Sequence, residues 1–103
     1  MILVLANIET TEAAIEPMKA AIAAMELASQ AEPGCISYRF TQELSHPHKM
    51  VVVEQWESVD ALVEHFGMPH MAEFGAAMAK NPPVNVDAKM YDLGPGQPLP
   101  GRD

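Results

Sequence analysis

Cysteine is nearly missing from this chain. One residue, Cys35, is present in 103, which excludes an internal disulfide and a thiolate-bound metal cluster. Positive charge is also scarce: 6 Lys and Arg stand against 14 Asp and Glu, for a net charge of −8. The basic residues are scattered from Lys19 to Arg102 without a cluster. Nucleic acid and anionic membrane are therefore excluded as partners, because a phosphate surface needs a cationic face. Aromatics make up only 6%, and eight methionines take over part of the filling with flexible, polarisable side chains. No apolar run is long enough for a membrane span, and the stretch from Ile2 to Ala6 has no basic flank before it. A soluble, reducing, cytoplasmic setting is the expectation. Glycine-rich phosphate loops, a nucleophile elbow and a dinucleotide fingerprint are all lacking, so neither flavin nor nicotinamide is indicated.

What remains is a globular composition, 49% hydrophobic and 19% charged, in one domain's length of chain. Ile2 to Glu9 reads as a strand. From about Ile15 the apolar spacing becomes helical, with Ile15, Met18, Ile22 and Met25 on one stripe and Pro17 placed in the first turn. Glu32-Pro33-Gly34 stops that helix. Cys35 to Glu43 alternates as a second strand, with Ile36, Tyr38 and Phe40 on one face and Cys35, Ser37, Arg39 and Thr41 on the other. Lys49 to Trp56 is a third strand.

Ser58 caps a short helix whose apolar face is Leu62, Val63 and Phe66, ended by Gly67. Pro69 opens another helix, with Met71, Phe74 and Met78 as its buried stripe up to Asn81-Pro82-Pro83. Val84 to Leu93 is the last strand. A Gly- and Pro-rich tail, 94–103, follows the domain 1–93 and is expected to lie loosely on the surface.

The order β-α-β-β-α-β, with its second helical segment broken, predicts a ferredoxin-like α+β fold. The apolar first and third strands are expected at the centre of the sheet and the alternating second and fourth at its edges. Ile2-Leu3-Val4-Leu5 and Met50-Val51-Val52-Val53 are apolar at both parities. Helices cover one sheet face only, so something else must cover the other. A second copy is the simplest cover, which predicts a homodimer, a dimeric α/β barrel. A monomer with a tolerated apolar patch is the alternative.

The chemistry-bearing candidates gather around the helix break. His65 and His70 bracket Gly67-Met68-Pro69. Either satisfies loose backbone groups there, or one faces the space between helices and sheet as a general base. His65, beside the apolar Phe66, is the stronger candidate for the base. His65, His70 and Glu73 also make two imidazoles and a carboxylate, the set used by non-haem iron, although that spacing is ordinary in a two-helix segment. Trp56 and Tyr38 read as core plugs or as pocket walls, and Asn7 as a pocket donor or an exposed strand end. His46 and His48 read as solvated loop residues, and Cys35 as inert packing.

Glu54-Gln55-Trp56-Glu57-Ser58, Ala61-Leu62, Glu64-His65 and Pro69-His70-Met71, with Glu32-Pro33-Gly34-Cys35 upstream, together resemble the antibiotic biosynthesis monooxygenase family, most closely its quinol monooxygenase branch. The resemblance runs to about Leu93. It implies a dimeric α+β barrel and oxygenation without metal, flavin or haem: an electron-rich quinol or phenol, once deprotonated, itself passes an electron to dioxygen. It implies His65 as the base, Trp56 and Phe74 as pocket walls, and Tyr38, Asn7 and His70 as orienting groups.

Two departures stand out. Met68 takes the place of a Ser or Thr cap, a loss of about 1 kcal/mol. The haem-degrading branch uses an asparagine, a tryptophan and a histidine, and the last two positions here are His65 and Gly75, while Asn7 matches the asparagine or sits one residue off. Haem degradation is not expected. The competing functions are an isomerase or other proton-transfer enzyme on a small carbonyl metabolite, and a non-catalytic dimeric ligand-binding module.

Overall fold

A computed structural model describes residues 1–101. Its elements run β1 (Ile2–Glu9), α1 (Glu12–Gln30), β2 (Cys35–Gln42), β3 (Lys49–Trp56), α2 (Val59–Phe66), α3 (Pro69–Lys80) and β4 (Asn85–Asp92). The strands form one antiparallel sheet in the order β2-β3-β1-β4. The apolar strands are central and the alternating ones are edges, as their patterns require. Of the tail 94–103, residues 102 and 103 lie outside the described residues; 94–101 are exposed and carry only an isolated bridge at Leu99.

Parity divides the sheet. Ile2, Val4, Val52 and Trp56 are buried beneath the helices and form the core with Met25, Tyr38 and Leu62. Leu3, Leu5, Val51 and Val53 lie on the other, helix-free face and are half-buried. β2 departs from simple alternation. Cys35 pairs with Trp56 and Ser37 with Gln55, so Ile36 is a bulged extra residue. The bulge turns Cys35 into the core and leaves Ile36 45% exposed, the reverse of the alternating expectation.

Helix α1 begins earlier than the apolar stripe alone indicates, because the Thr11 hydroxyl accepts from Ala14 N–H at 3.2 Å and caps it. Pro17 consequently lies in the second turn rather than the first. It deprives the Ala13 carbonyl of its helical donor, and both residues are exposed, so solvent takes that carbonyl. The buried stripe extends from Ala14 through Met18 and Met25 to Ser29. Two polar side chains of α1 reach over the outer edge of β2: Gln30 Nε2 donates to the Tyr38 carbonyl at 2.9 Å, and the Phe40 N–H donates to Glu26 Oε2 at 2.8 Å. The outer edge of β2 is thereby covered at Tyr38 and Phe40.

Helix α2 corrects another expectation. Leu62 and His65 take the inner positions, while Val63 and Phe66 are each 58% exposed. Helix α3 has no fully buried residue; Met71, Phe74 and Met78 are half-buried against α1 and the sheet. No helix among the described residues is long and apolar enough to cross a membrane.

Candidate active site

The turn that joins α1 to β2 brings a carboxylate into the interior. Gly34 adopts φ 84°, in the left-handed region that side chains disfavour. A Cβ there would sit 2.6 Å from the Ala61 Cβ. Only glycine lets the turn press against α2. The Glu57 N–H donates to the Gly34 carbonyl at 2.8 Å, and the Glu32 N–H to the Ser29 carbonyl at 3.1 Å. The turn is thus pinned to the start of α2 on one side and the end of α1 on the other, and Glu32 points inward, 8% exposed.

The break between α2 and α3 supplies two imidazoles to that carboxylate. Gly67 ends α2, and Pro69 begins α3 behind Met68, which makes no side-chain cap hydrogen bond. Glu32 Oε2 lies 2.6 Å from His65 Nδ1 and 2.7 Å from His70 Nε2. A carboxylate oxygen accepts, so each imidazole donates through that nitrogen and keeps its other ring nitrogen for a second partner. The side chains of Glu32 and His65 are 5% and 1% exposed, that of His70 18%. The bond to Glu32 explains why His65, rather than Phe66, turns inward.

Behind His65 stands an aromatic wall. Its ring centroid lies 4.7 Å from that of Trp56 and 5.5 Å from that of Tyr38. Trp56 is wholly buried, and its indole N–H donates to Glu54 Oε1 at 3.0 Å. Burial pushes the Glu54 carboxyl up from its ordinary range, against the opposing pulls of the Trp56 hydrogen bond and of His65; the charge of Glu32 adds to the rise. Burial, and then the charges of Glu54 and Glu32, push the Tyr38 phenol up as well, so it remains a neutral donor. Burial and the same two carboxylates, Glu32 foremost, push the Cys35 thiol up to about 11, which suits its reading as inert packing.

Of two hollows against the helices, only the second borders this cluster. The first lies at the far end of the helix–sheet interface, enclosed by Ile8, Ile15, Met18, Phe40, Phe74 and Met78, and measures about 30 Å³. That is space for about one water molecule, and no histidine lines it. The second is a groove between α1 and α3, about 280 Å³, with Ala21, Ala24, Met25 and Ala28 on one side and His70, Glu73 and Phe74 on the other.

Of the sequence candidates, His65, His70, Tyr38 and Trp56 come together, and Phe74 lines both hollows. Asn7 does not join them. It is exposed, on the helix-free face with Leu3 and Leu5, because strand parity carries it to the opposite side from Ala6 and Ile8. Glu73 is exposed on α3 and makes no hydrogen bond or ion pair with either imidazole among the described residues; the carboxylate that meets both is Glu32. Glu32 and Glu54 escaped the reading of the sequence. Parity with Val52 and Trp56 marks Glu54 as inward-facing, whereas nothing local marks Glu32, which lies 33 residues before His65.

The model of the family described as antibiotic biosynthesis monooxygenase matches residues 1–77. The chain belongs to the antibiotic biosynthesis monooxygenase family. Its relatives by structure include a candidate member from Deinococcus radiodurans, with TM-score 0.88, 17% identity, and 96% of this chain and 98% of that one covered. Rv0793 from Mycobacterium tuberculosis aligns with TM-score 0.79 at 27% identity, covering 93% and 95% of the two chains. Among curated proteins, the Synechocystis sp. uncharacterized protein sll1783 is 32% identical over 74 residues, 69% of this chain. The aligned part is about half of that relative, 48% of its length. The family match ends inside α3, while the sheet itself continues through β4.

Proposed function

We propose that this chain is a monooxygenase that oxidises a quinol-like or phenolic small molecule with dioxygen and needs no cofactor. Family membership supports the general activity. The observation that carries the finer reading is the shared Glu32 oxygen, 2.6 and 2.7 Å from two imidazoles. Donation to Glu32 fixes the tautomer of each ring, holds its free nitrogen as an acceptor and stabilises the imidazolium that forms when that nitrogen takes a proton. Such a base removes the phenolic proton; the electron-rich anion reduces dioxygen, and a quinol plus O2 gives a hydroxyquinone plus water. In this reading His70 orients substrate from the α1–α3 groove, with Phe74 as the groove's aromatic wall. His65, 1% exposed and lining neither hollow, is the base once the groove opens at the Gly67-Met68-Pro69 break, and Trp56 and Tyr38 keep water from it.

The proposed assembly is a homodimer that buries Leu3, Leu5, Val51 and Val53 between two sheets, with Asn7 at that interface. Light scattering at micromolar concentration is expected to give twice the chain mass; a stable monomer refutes it. The activity is tested by oxygen uptake with a panel of benzoquinols and naphthoquinols. Uptake is expected, falling at least ten-fold in His65→Ala with fold and assembly intact. Substrate loss without oxygen uptake would reassign the site to proton transfer on a carbonyl compound. Saturable binding without turnover would make the chain a ligand-binding module.

A further inference from the structure

Glu32 and Glu54 are 8% and 7% exposed, and neither meets a lysine or arginine among the described residues. Two buried carboxylates without a fixed cation are costly to keep ionised. The groups that Glu32 does meet are metal ligands by chemistry: Glu32 Oε2, His65 Nδ1 and His70 Nε2 all lie within 4.8 Å of one another. The three side chains come from three segments, the α1–β2 turn, α2 and α3, so an ion among them would tie those segments together.

We infer that Glu32, His65 and His70 form a binding site for one divalent transition-metal ion of borderline softness, of the zinc or cobalt kind. Two imidazoles and a carboxylate suit such ions and are a poor match for calcium or magnesium, which take more oxygen ligands. In the hydrogen-bonded form the carboxylate stands 2.6 and 2.7 Å from the two nitrogens. Ligands about 2.0–2.1 Å from a tetrahedral ion are roughly 3.3 Å apart, so the carboxylate must withdraw by about 0.6–0.7 Å. The break at Gly67-Met68-Pro69, which has no side-chain cap, gives the imidazoles room to adjust. Each imidazole exchanges its donated N–H for a lone pair by carrying its proton on the other ring nitrogen, so a neutral ring coordinates without net loss of a proton. Entry is through the α1–α3 groove, where His70 is reachable and the exposed Glu73 adds negative charge.

The site stands on this geometry and does not rest on the oxygenase reading. Where both hold, ion and substrate proton compete for the same imidazoles, and the loaded protein is the slower catalyst.

The test is titration of chelator-treated full-length protein with Co²⁺, followed by displacement with Zn²⁺. One Co²⁺ per chain is expected, with the visible d–d absorption of a four- or five-coordinate ion that Zn²⁺ abolishes. His70→Gln and Glu32→Gln are each expected to weaken uptake at least ten-fold, while His46→Gln, in the exposed loop, leaves it unchanged. His70→Gln alters the most exposed ligand and keeps the test decisive if Glu32→Gln folds poorly. No saturable Co²⁺ uptake at micromolar concentration, undiminished uptake in His70→Gln, or loss of uptake in His46→Gln overturns the site. Oxygen consumption plays no part in this readout, so failure of the oxygenase assay leaves the result standing.

Discussion

Replacing Glu32 with Gln removes one negative charge from the point where three segments meet. The carboxylate oxygen receives two imidazole N–H groups, and the three side chains are 5%, 1% and 18% exposed, so solvent compensates little. A hydrogen bond to a charged group contributes about 1.5–3 kcal/mol. Both imidazoles meet the same oxygen, Oε2, so Gln with its carbonyl oxygen there keeps both acceptor bonds but turns each from a charged into a neutral one, a loss of about 1–1.5 kcal/mol apiece. The expected cost is about 3 kcal/mol, at the low end of the range for breaking a buried pair. Against a total near 5–15 kcal/mol for a domain of this size, that is a large fraction.

The sole tryptophan reports on the change directly, since its ring centroid is 4.7 Å from that of His65. Urea unfolding followed by Trp56 fluorescence, at fixed protomer concentration, gives the difference. The melting temperature is expected to fall by about 12–24 °C, at 4–8 °C per kcal/mol. A loss below about 1 kcal/mol, the worth of an exposed pair, would refute the claim that Glu32 organises this interior.

Gly34→Ala combines a left-handed backbone with a contact to the Ala61 Cβ at 2.6 Å, and about 3 kcal/mol of destabilisation is expected. Adding Ala61→Gly should restore part of it in the same urea experiment; no restoration would mean that the close approach is not the cause. Ser29 Oγ is fully buried without a hydrogen-bond partner among the described residues, so Ser29→Ala is expected to stabilise by about 1 kcal/mol; destabilisation would reveal a bond to that hydroxyl.

Glu54 has its carboxyl pushed up by burial, so the folded chain holds that proton more tightly than the unfolded chain. Stability therefore falls as pH rises from the unfolded carboxylate range, about 4.3, through the raised folded value. Glu54→Gln, which keeps an oxygen for Trp56, should stabilise the protein at neutral pH and lose that advantage in acid below the ordinary range. Equal gains at both pH values would contradict the burial argument.

Much of the fold is legible because alternation and helical spacing are local signals. The double-parity apolar runs in β1 and β3 identify central strands, and Gly67 with Pro69 marks the helix break. The misplacements have equally local causes. Thr11 starts α1 before its first large apolar residue, and the bulge at Ile36 exchanges the faces of Ile36 and Cys35. On α2, Leu62 fixes the inner face, but spacing does not choose between His65 and Phe66 as the next residue inward. That choice is made by Glu32, from a turn far away in sequence. The imidazoles of the site were thus visible and their carboxylate was not.

The asymmetry of the sheet's two borders bears on self-association. Glu26 and Gln30 occupy hydrogen-bonding positions along the β2 border, whereas β4 is exposed along its whole length. Strand-to-strand growth into a fibre needs two free borders per molecule, one to receive and one to offer. A single chain with one border covered at Tyr38 and Phe40 can pair edge to edge only through β4, so Glu26 and Gln30 act against strand-by-strand polymerisation of single chains.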